Sequence, residues 1–243
     1  MTHAPEADTT GTEPTDSDAT GAEPTDSDTT GVGSATADGI TEITSPEQLR
    51  DLIGSPVPLA TGKERTALHE LDRRWLAASP FCLVATAGAD GTCDVSPKGD
   101  PPGFTLVLDD RTIAVPERPG NRRADGFHNI LTNPHVGLIY LIPGRGDTLR
   151  INGRARLVSD APFFDRMVVR GHRPQLALLV SIEQVFYHCS KAFLRSELWE
   201  PGSWQPDRLP SRARITKAVQ RTELTLAELE QRYGPEYARN LYG

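Results

Sequence analysis

Cysteine is scarce in this chain: Cys82, Cys93 and Cys189 are the whole complement, and none belongs to a Cys-x-x-Cys pair. An odd count without paired spacing argues against a disulfide framework and a zinc knuckle, and predicts thiols that are reduced and mostly buried. Long apolar runs are missing too, none exceeding five residues, as in Leu176–Val180. Met1 is followed by no charged segment leading into an apolar one, so neither a membrane span nor a secretory signal is expected, and the protein is expected to be cytoplasmic. The first 39 residues lack Lys and Arg but carry nine acids among Thr, Ala, Gly, Pro and Ser. Such a stretch cannot bury enough apolar surface to fold, so residues 1–39 read as a disordered acidic tail. Of the chain's 33 acids 24 remain outside the tail, against 26 Lys and Arg. That near-neutral body has no basic excess for neutralising phosphates, and nucleic acid is not an expected partner.

Several catalytic motifs are also absent. There is no Gly-x-x-x-x-Gly-Lys-Ser/Thr, no Gly-x-Ser-x-Gly and no Gly-x-Gly-x-x-Gly after a strand. P-loop, hydrolase-elbow and dinucleotide-fold readings therefore lose their local support. His69-Glu70 opens a zincin-like pattern, but Arg73 stands where the second His would be, and His128, His135, His172 and His188 are scattered. No metal site is expected.

What is present is organised. Glu-Pro-Thr-Asp-Ser-Asp occurs at 13–18 and again at 23–28, a repeat with no apolar face to stack. Ser45-Pro46-Glu47-Gln48 is a capping-box start for a short helix to about Ile53. Leu68, Leu71, Trp75 and Leu76 recur at helical spacing between Glu64 and Ala78. Residues 40–80 are thus N-terminal helices. Phe81–Ala87 and Thr92–Ser96 flank Asp90-Gly91, a type I′ hairpin signal, and Phe104–Leu108 and Arg111–Val115 flank Asp109-Asp110 in the same way. A helix is predicted from Asn121 to about Thr132, stopped before Pro134, and another near Ala161–Arg170. His135–Ile142 is apolar on both alternations, predicting a strand covered on both faces. Thr148–Val158 alternates, with Leu149, Ile151, Gly153, Ala155 and Leu157 on one face and Arg150, Asn152, Arg154 and Arg156 on the other. A last strand lies within Leu176–His188, and residues 201–243 form a helical extension broken at Gly234-Pro235. This order of hairpins predicts a mainly β fold, an antiparallel barrel with accessory helices over residues 81–200.

Three constellations suggest chemistry. If Asn121 caps its helix, Arg122 and Arg123 occupy the first turn, where the macrodipole opposes cations by roughly 0.3–1 kcal/mol each. A bound phosphate would compensate, using helix amides and guanidinium forks together. Alternatively, the arginines splay into water or pair with Glu117 and Asp125. Ser96-Pro97-Lys98-Gly99-Asp100-Pro101-Pro102-Gly103 sets a hydroxyl and an ammonium side by side at a strand end, as an anion site or as mere loop. Lys191, Arg195 and Trp199 fall at i, i+4 and i+8, fitting a planar anion or a solvated helix edge. Arg145-Gly146-Asp147 reads as a turn.

These stretches, with Asn129–Gly137 and Leu149–Ala155, together resemble the pyridoxamine 5′-phosphate oxidase-like FMN-binding split-barrel family, specifically an actinobacterial-type branch. The resemblance spans about residues 45–243. It implies a six-stranded antiparallel split barrel that dimerises, with FMN held between subunits. By residue it implies Ser96 and Lys98 near the flavin and Arg118, Asn121, Arg122 and Arg123 at its phosphate, with Arg154, Lys191, Arg195 and Trp199 as further contacts. The implied function is an FMN-dependent oxidoreductase acting on a small organic molecule. A non-catalytic flavin-binding module, or a barrel using a deazaflavin or haem, is the alternative. The chain departs from authentic pyridoxamine phosphate oxidases at its end, Arg239-Asn240-Leu241-Tyr242-Gly243, which lacks their Arg-Leu-x-Pro finish; Arg170-Gly171-His172 has the spelling of their substrate-touching Arg-x-His in another place.

Overall fold

The computed structural model describes residues 39–239 together with 241 and 242; the acidic tail read at 1–39 lies outside the described residues except for Gly39. The chain divides into two compact units, one ending at Pro56 and one beginning at Val57. The first contains α1, Pro46–Ile53. The expected Ser45 cap is present, Ser45 Oγ accepting the Gln48 N–H at 3.2 Å, but the reciprocal bond of a capping box is displaced by one residue, Gln48 Oε1 accepting the Thr44 N–H at 2.9 Å rather than that of Ser45.

The second unit begins with α2, Glu70–Ala78, shorter than the predicted Glu64–Ala78. Arg65 is used otherwise, exchanging both backbone hydrogen bonds with Val185. His69 caps the helix, its Nδ1 accepting the Leu71 N–H at 3.1 Å, and the Asp72 carboxylate returns to the His69 N–H at 2.7 Å. That carboxylate is fully buried and ion-paired with Arg65.

Seven strands follow: β1 Phe81–Ala87, β2 Cys93–Gly99, β3 Leu106–Val107, β4 Thr112–Pro116, β5 His135–Leu141, β6 Thr148–Val158 and β7 Ala177–His188. They form one antiparallel sheet in the order β2-β1-β5-β6-β7-β4-β3, whose end strands β2 and β3 share no ladder. Pro97 is tolerated because β2 pairs only with β1, leaving its other edge free of donors. The β1–β2 connection differs from the type I′ expectation. Only Gly91 has positive φ, at 85°, and the Gly88 N–H donates to the Thr92 carbonyl at 2.8 Å, closing a three-residue loop.

One face of the sheet is the core. Cys82, Val84, Leu138, Tyr140, Leu149, Ile151, Ala155 and Val185 are buried there with Leu68, Trp75 and Leu76 of the α2 region. The alternation of β6 falls as predicted, Arg154 and Arg156 being exposed. Gly153 is required where β6 and β7 shift register, since a Cβ there would stand 2.1 Å from the Ser181 carbonyl oxygen. On β5 Val136, Leu138 and Tyr140 are buried while Gly137, Ile139 and Leu141 are half-buried, so within one chain its second face is incompletely covered. The helix predicted near Ala161–Arg170 is a single 3-10 turn, Phe164–Met167; Val169 instead bridges to His172. Of the three thiols only Cys82 is buried, and burial pushes it up to about 12; Cys93 and Cys189 are exposed, correcting the expectation of mostly buried cysteines.

The remaining helices are α3 Asp125–Thr132, α4 Lys191–Ser196, α5 Arg212–Val219, α6 Leu226–Arg232 and α7 Pro235–Arg239, with a break at Gly234 as predicted. No described helix is long and apolar enough to cross a membrane.

Burial acts to raise the Asp72 pKa, but Arg65 and the His69 N–H overcome it and hold the carboxyl below the usual aspartate range. A depressed folded pKa supplies stability above the unfolded pKa and loses it as pH falls through the folded one. Asp72→Asn should cost about 1–3 kcal/mol at neutral pH, as expected for a hydrogen bond to a charged group. In urea titrations at descending pH the gap between the two proteins should begin to narrow below the unfolded pKa and close only below the folded one; a gap that persists at still lower pH would contradict this origin.

Candidate functional site

Strand alternation builds the site. On β2 Cys93, Val95, Pro97 and Gly99 are exposed, whereas Asp94, Ser96 and Lys98 share the opposite, half-buried face. Asp100 continues the series just beyond the strand. Most inner positions of the neighbouring strands are apolar, so this edge is the polar wall of the core face.

The wall is met by two other segments. After β4, Glu117 ion-pairs with Lys98 Nζ, which also stands 4.7 Å over the Phe127 ring of α3. Next to it, Arg118 enters a buried network. Its Nε donates to Asp100 Oδ2 at 2.6 Å, Nη2 to the Met167 carbonyl at 2.7 Å and Nη1 to the His172 carbonyl at 3.2 Å. The Tyr242 hydroxyl donates to the other Asp100 oxygen at 2.5 Å, and its ring stacks on His172 at 5.4 Å. The Arg118 and Asp100 side chains are 12% and 2% exposed, so each charge depends on the other.

The second segment is the entrance to α3. The helix begins at Asp125 rather than Asn121, so Arg122 and Arg123 lie in the preceding loop and not in a first turn. The reason is local. Arg122 and Ala124 have φ of 61° and 60°, left-handed values that interrupt a helix, and Asn121 Oδ1 accepts the Arg123 N–H at 3.0 Å instead of capping the helix. Ala124 provides no side-chain cap. The alternative of arginine pairing is met in part: Arg123 Nε donates to Asp125 Oδ2 at 2.7 Å, which raises its pKa, while Glu117 goes to Lys98. Arg122 is exposed and has neither hydrogen bond nor ion pair among the described residues. Gly126 lets α3 approach the wall, because a Cβ there would lie 2.9 Å from Asp94 Oδ2 and 3.5 Å from Ser96 Oγ.

Ser96, Lys98, Arg118 and the Asn121–Arg123 loop are thus gathered around one corner. The other sequence-derived residues are placed elsewhere. Arg154 is on the outer face of β6, its Nη1 3.0 Å from His135 Nε2. Lys191 and Arg195 are exposed on α4, but the helix ends at Ser196 and Glu197 is left-handed at φ 51°. Trp199 therefore leaves the expected stripe; it stacks on Phe193 and donates to the Arg145 carbonyl at 2.7 Å, beside the loop that precedes β6. Asp94, Asp100, Phe127 and Tyr242 were not singled out from the sequence. Period-two counting from Ser96 and Lys98 would have found Asp94 and Asp100; nothing local marks Phe127 or Tyr242.

The sequence profile of the family described as pyridoxamine 5′-phosphate oxidase matches residues 68–189, half of the chain, and the chain belongs to that family. No curated protein matches. Similar solved structures include HupZ of Group A Streptococcus, at 18% identity and TM-score 0.41, covering 49% of this chain and 93% of that one. A Clostridium acetobutylicum protein related to general stress protein 26 of B. subtilis is 15% identical with TM-score 0.38, over 49% and 85%. An F420 reductase is 20% identical with TM-score 0.33, over 46% and 93%.

Arg118→Met should leave Asp100 buried without its counter-charge and cost about 3–5 kcal/mol. The urea midpoint reads this directly; a change within 0.5 kcal/mol, roughly the range of an ordinary surface substitution, would show that the network carries no stability.

Proposed function

We propose that this protein is an FMN-dependent oxidoreductase working as a homodimer on a small organic substrate. The observation that carries the reading is the α3 entrance: an uncapped helix start beside an exposed, unpaired Arg122, at the edge of the polar wall formed by Asp94, Ser96 and Lys98. The chemistry of this donor set fits a phosphate monoester. A helix start offers orphan N–H groups and the positive end of the dipole, and Arg122 adds a fork of donors. Arg123 joins them by releasing Asp125, a small loss because both partners are exposed. Arg122 and Ala124 are left-handed non-glycine residues two positions apart, a costly arrangement, and such strain is often kept where a ligand uses it.

In this reading Arg122, Arg123 and the amides at the start of α3 hold the phosphate, and Ser96 and Lys98 border the ring system. Arg118 does not touch the phosphate. Bound to Asp100 and two carbonyls, it holds the loop that does. FMN supplies two-electron chemistry when bound, which is why the chain needs no nucleophile or triad of its own. The half-buried outer residues of β5, with Val95 59% exposed on β2, support a second copy packing on that sheet face. Arg154, Lys191, Arg195 and Trp199, which make none of the corner's hydrogen bonds or ion pairs within one chain, are assigned to the cofactor site of the partner protomer.

The test is spectroscopic. Purified protein reconstituted with FMN should be yellow with near-stoichiometric flavin, and Arg122→Ala with Arg123→Ala should be folded but lower FMN affinity at least a hundredfold. Full flavin retention in that variant would reject the phosphate assignment. A deazaflavin or haem spectrum in the freshly purified protein would replace FMN by that cofactor. Failure of NADH, NADPH and other donors to reduce bound flavin would leave a binding module rather than an enzyme.

A further inference from the structure

The polar wall carries a charge pattern that selects what meets it. Lys98 is the only cation carried by β2 itself, and it is already engaged: Glu117 neutralises it and the Phe127 ring covers another side at 4.7 Å. The side chains of Lys98 and Glu117 are 13% and 28% exposed, so the pair is sheltered enough for its charges to matter. The remaining groups add negative charge. Asp100 is offset by Arg118, whereas the Asp94 carboxylate has only a 3.3 Å hydrogen bond from Ser96 Oγ and the more distant field of Arg123. Along this face two cations stand against three carboxylates.

We infer that Glu117 is a specificity-determining residue that makes this face accept an uncharged or cationic organic molecule and refuse an anionic one. An anion at Lys98 must share the ammonium with Glu117 or displace it, and either way it sets a second negative charge beside a half-buried carboxylate. Such like-charge juxtaposition is a standard way of rejecting a wrong ligand. A neutral or cationic ligand leaves the pair intact and finds the Phe127 ring and the Asp94 carboxylate beside it. The inference rests on the flavin reading for where the substrate sits, but the charge argument belongs to these side chains alone.

Benzoate and benzamide, of nearly equal shape, provide the measurement. In FMN-loaded wild-type protein, titrations followed by flavin absorbance should give benzamide at least tenfold tighter binding than benzoate. Glu117→Gln frees the Lys98 ammonium and should shift the ratio at least tenfold towards benzoate; adding Lys98→Met should abolish that shift. If Glu117→Gln does not fold, Lys98→Met alone should favour benzylammonium over benzamide by a similar factor. A ratio unmoved by these changes, a wild-type preference for benzoate, or no binding of any probe to any variant overturns the inference. The same titrations on flavin-free protein, followed by tryptophan fluorescence, separate the two claims. A retained selectivity shift without FMN binding sinks only the flavin reading, and FMN binding with an unmoved ratio sinks only the role of Glu117.

Discussion

One buried guanidinium organises the corner. Arg118 reaches the end of β2 through Asp100, the 3-10 segment through Met167 and its bridge through His172, while Tyr242 closes the other side of the Asp100 carboxylate. Neither charge would be stable alone at such burial, so the pairing forces the segment after β4 to run beside β2. That course brings Glu117 onto Lys98 and starts the Asn121–Ala124 loop at the edge of the polar wall. The candidate site is a consequence of this attachment.

The cations of the corner fall into distinct roles once their partners are known. Arg118 and Lys98 are sheltered and committed; Arg123 is committed but exposed, where solvent weakens the pair. Among the described residues Arg122 has no such partner, and its left-handed backbone leaves it outside α3. The proposed function uses this division: the free donors at the helix entrance would attract an anion, and the neutralised Lys98 of the wall would not.

Elements with strong local signals were legible: the Ser45 cap of α1, the alternation of β6 and the break at Gly234-Pro235. The family was legible as well, because its marks are contiguous stretches. The α3 start was not, since Asn121 is a good cap by composition and only the backbone reveals two left-handed residues after it. The predicted α2 start failed because Arg65 bridges to Val185 of β7, a tertiary demand that overrides helical periodicity. The Lys191–Trp199 stripe failed at Glu197, where a left-handed residue turns the chain against the Arg145 loop.

The sequence by itself determined the alternation of Asp94, Ser96 and Lys98 on one face, because strand geometry sends every second side chain the same way. It also determined the crowding of three arginines within six residues, Arg118 to Arg123. Tertiary structure decided which of those charges remain free. Glu117 and Asp125 are close to all three arginines in sequence and could have taken any of them. Only packing put Glu117 against Lys98 and Arg118 against Asp100, because the strength of an ion pair depends on burial and distance, which neighbours in sequence do not specify.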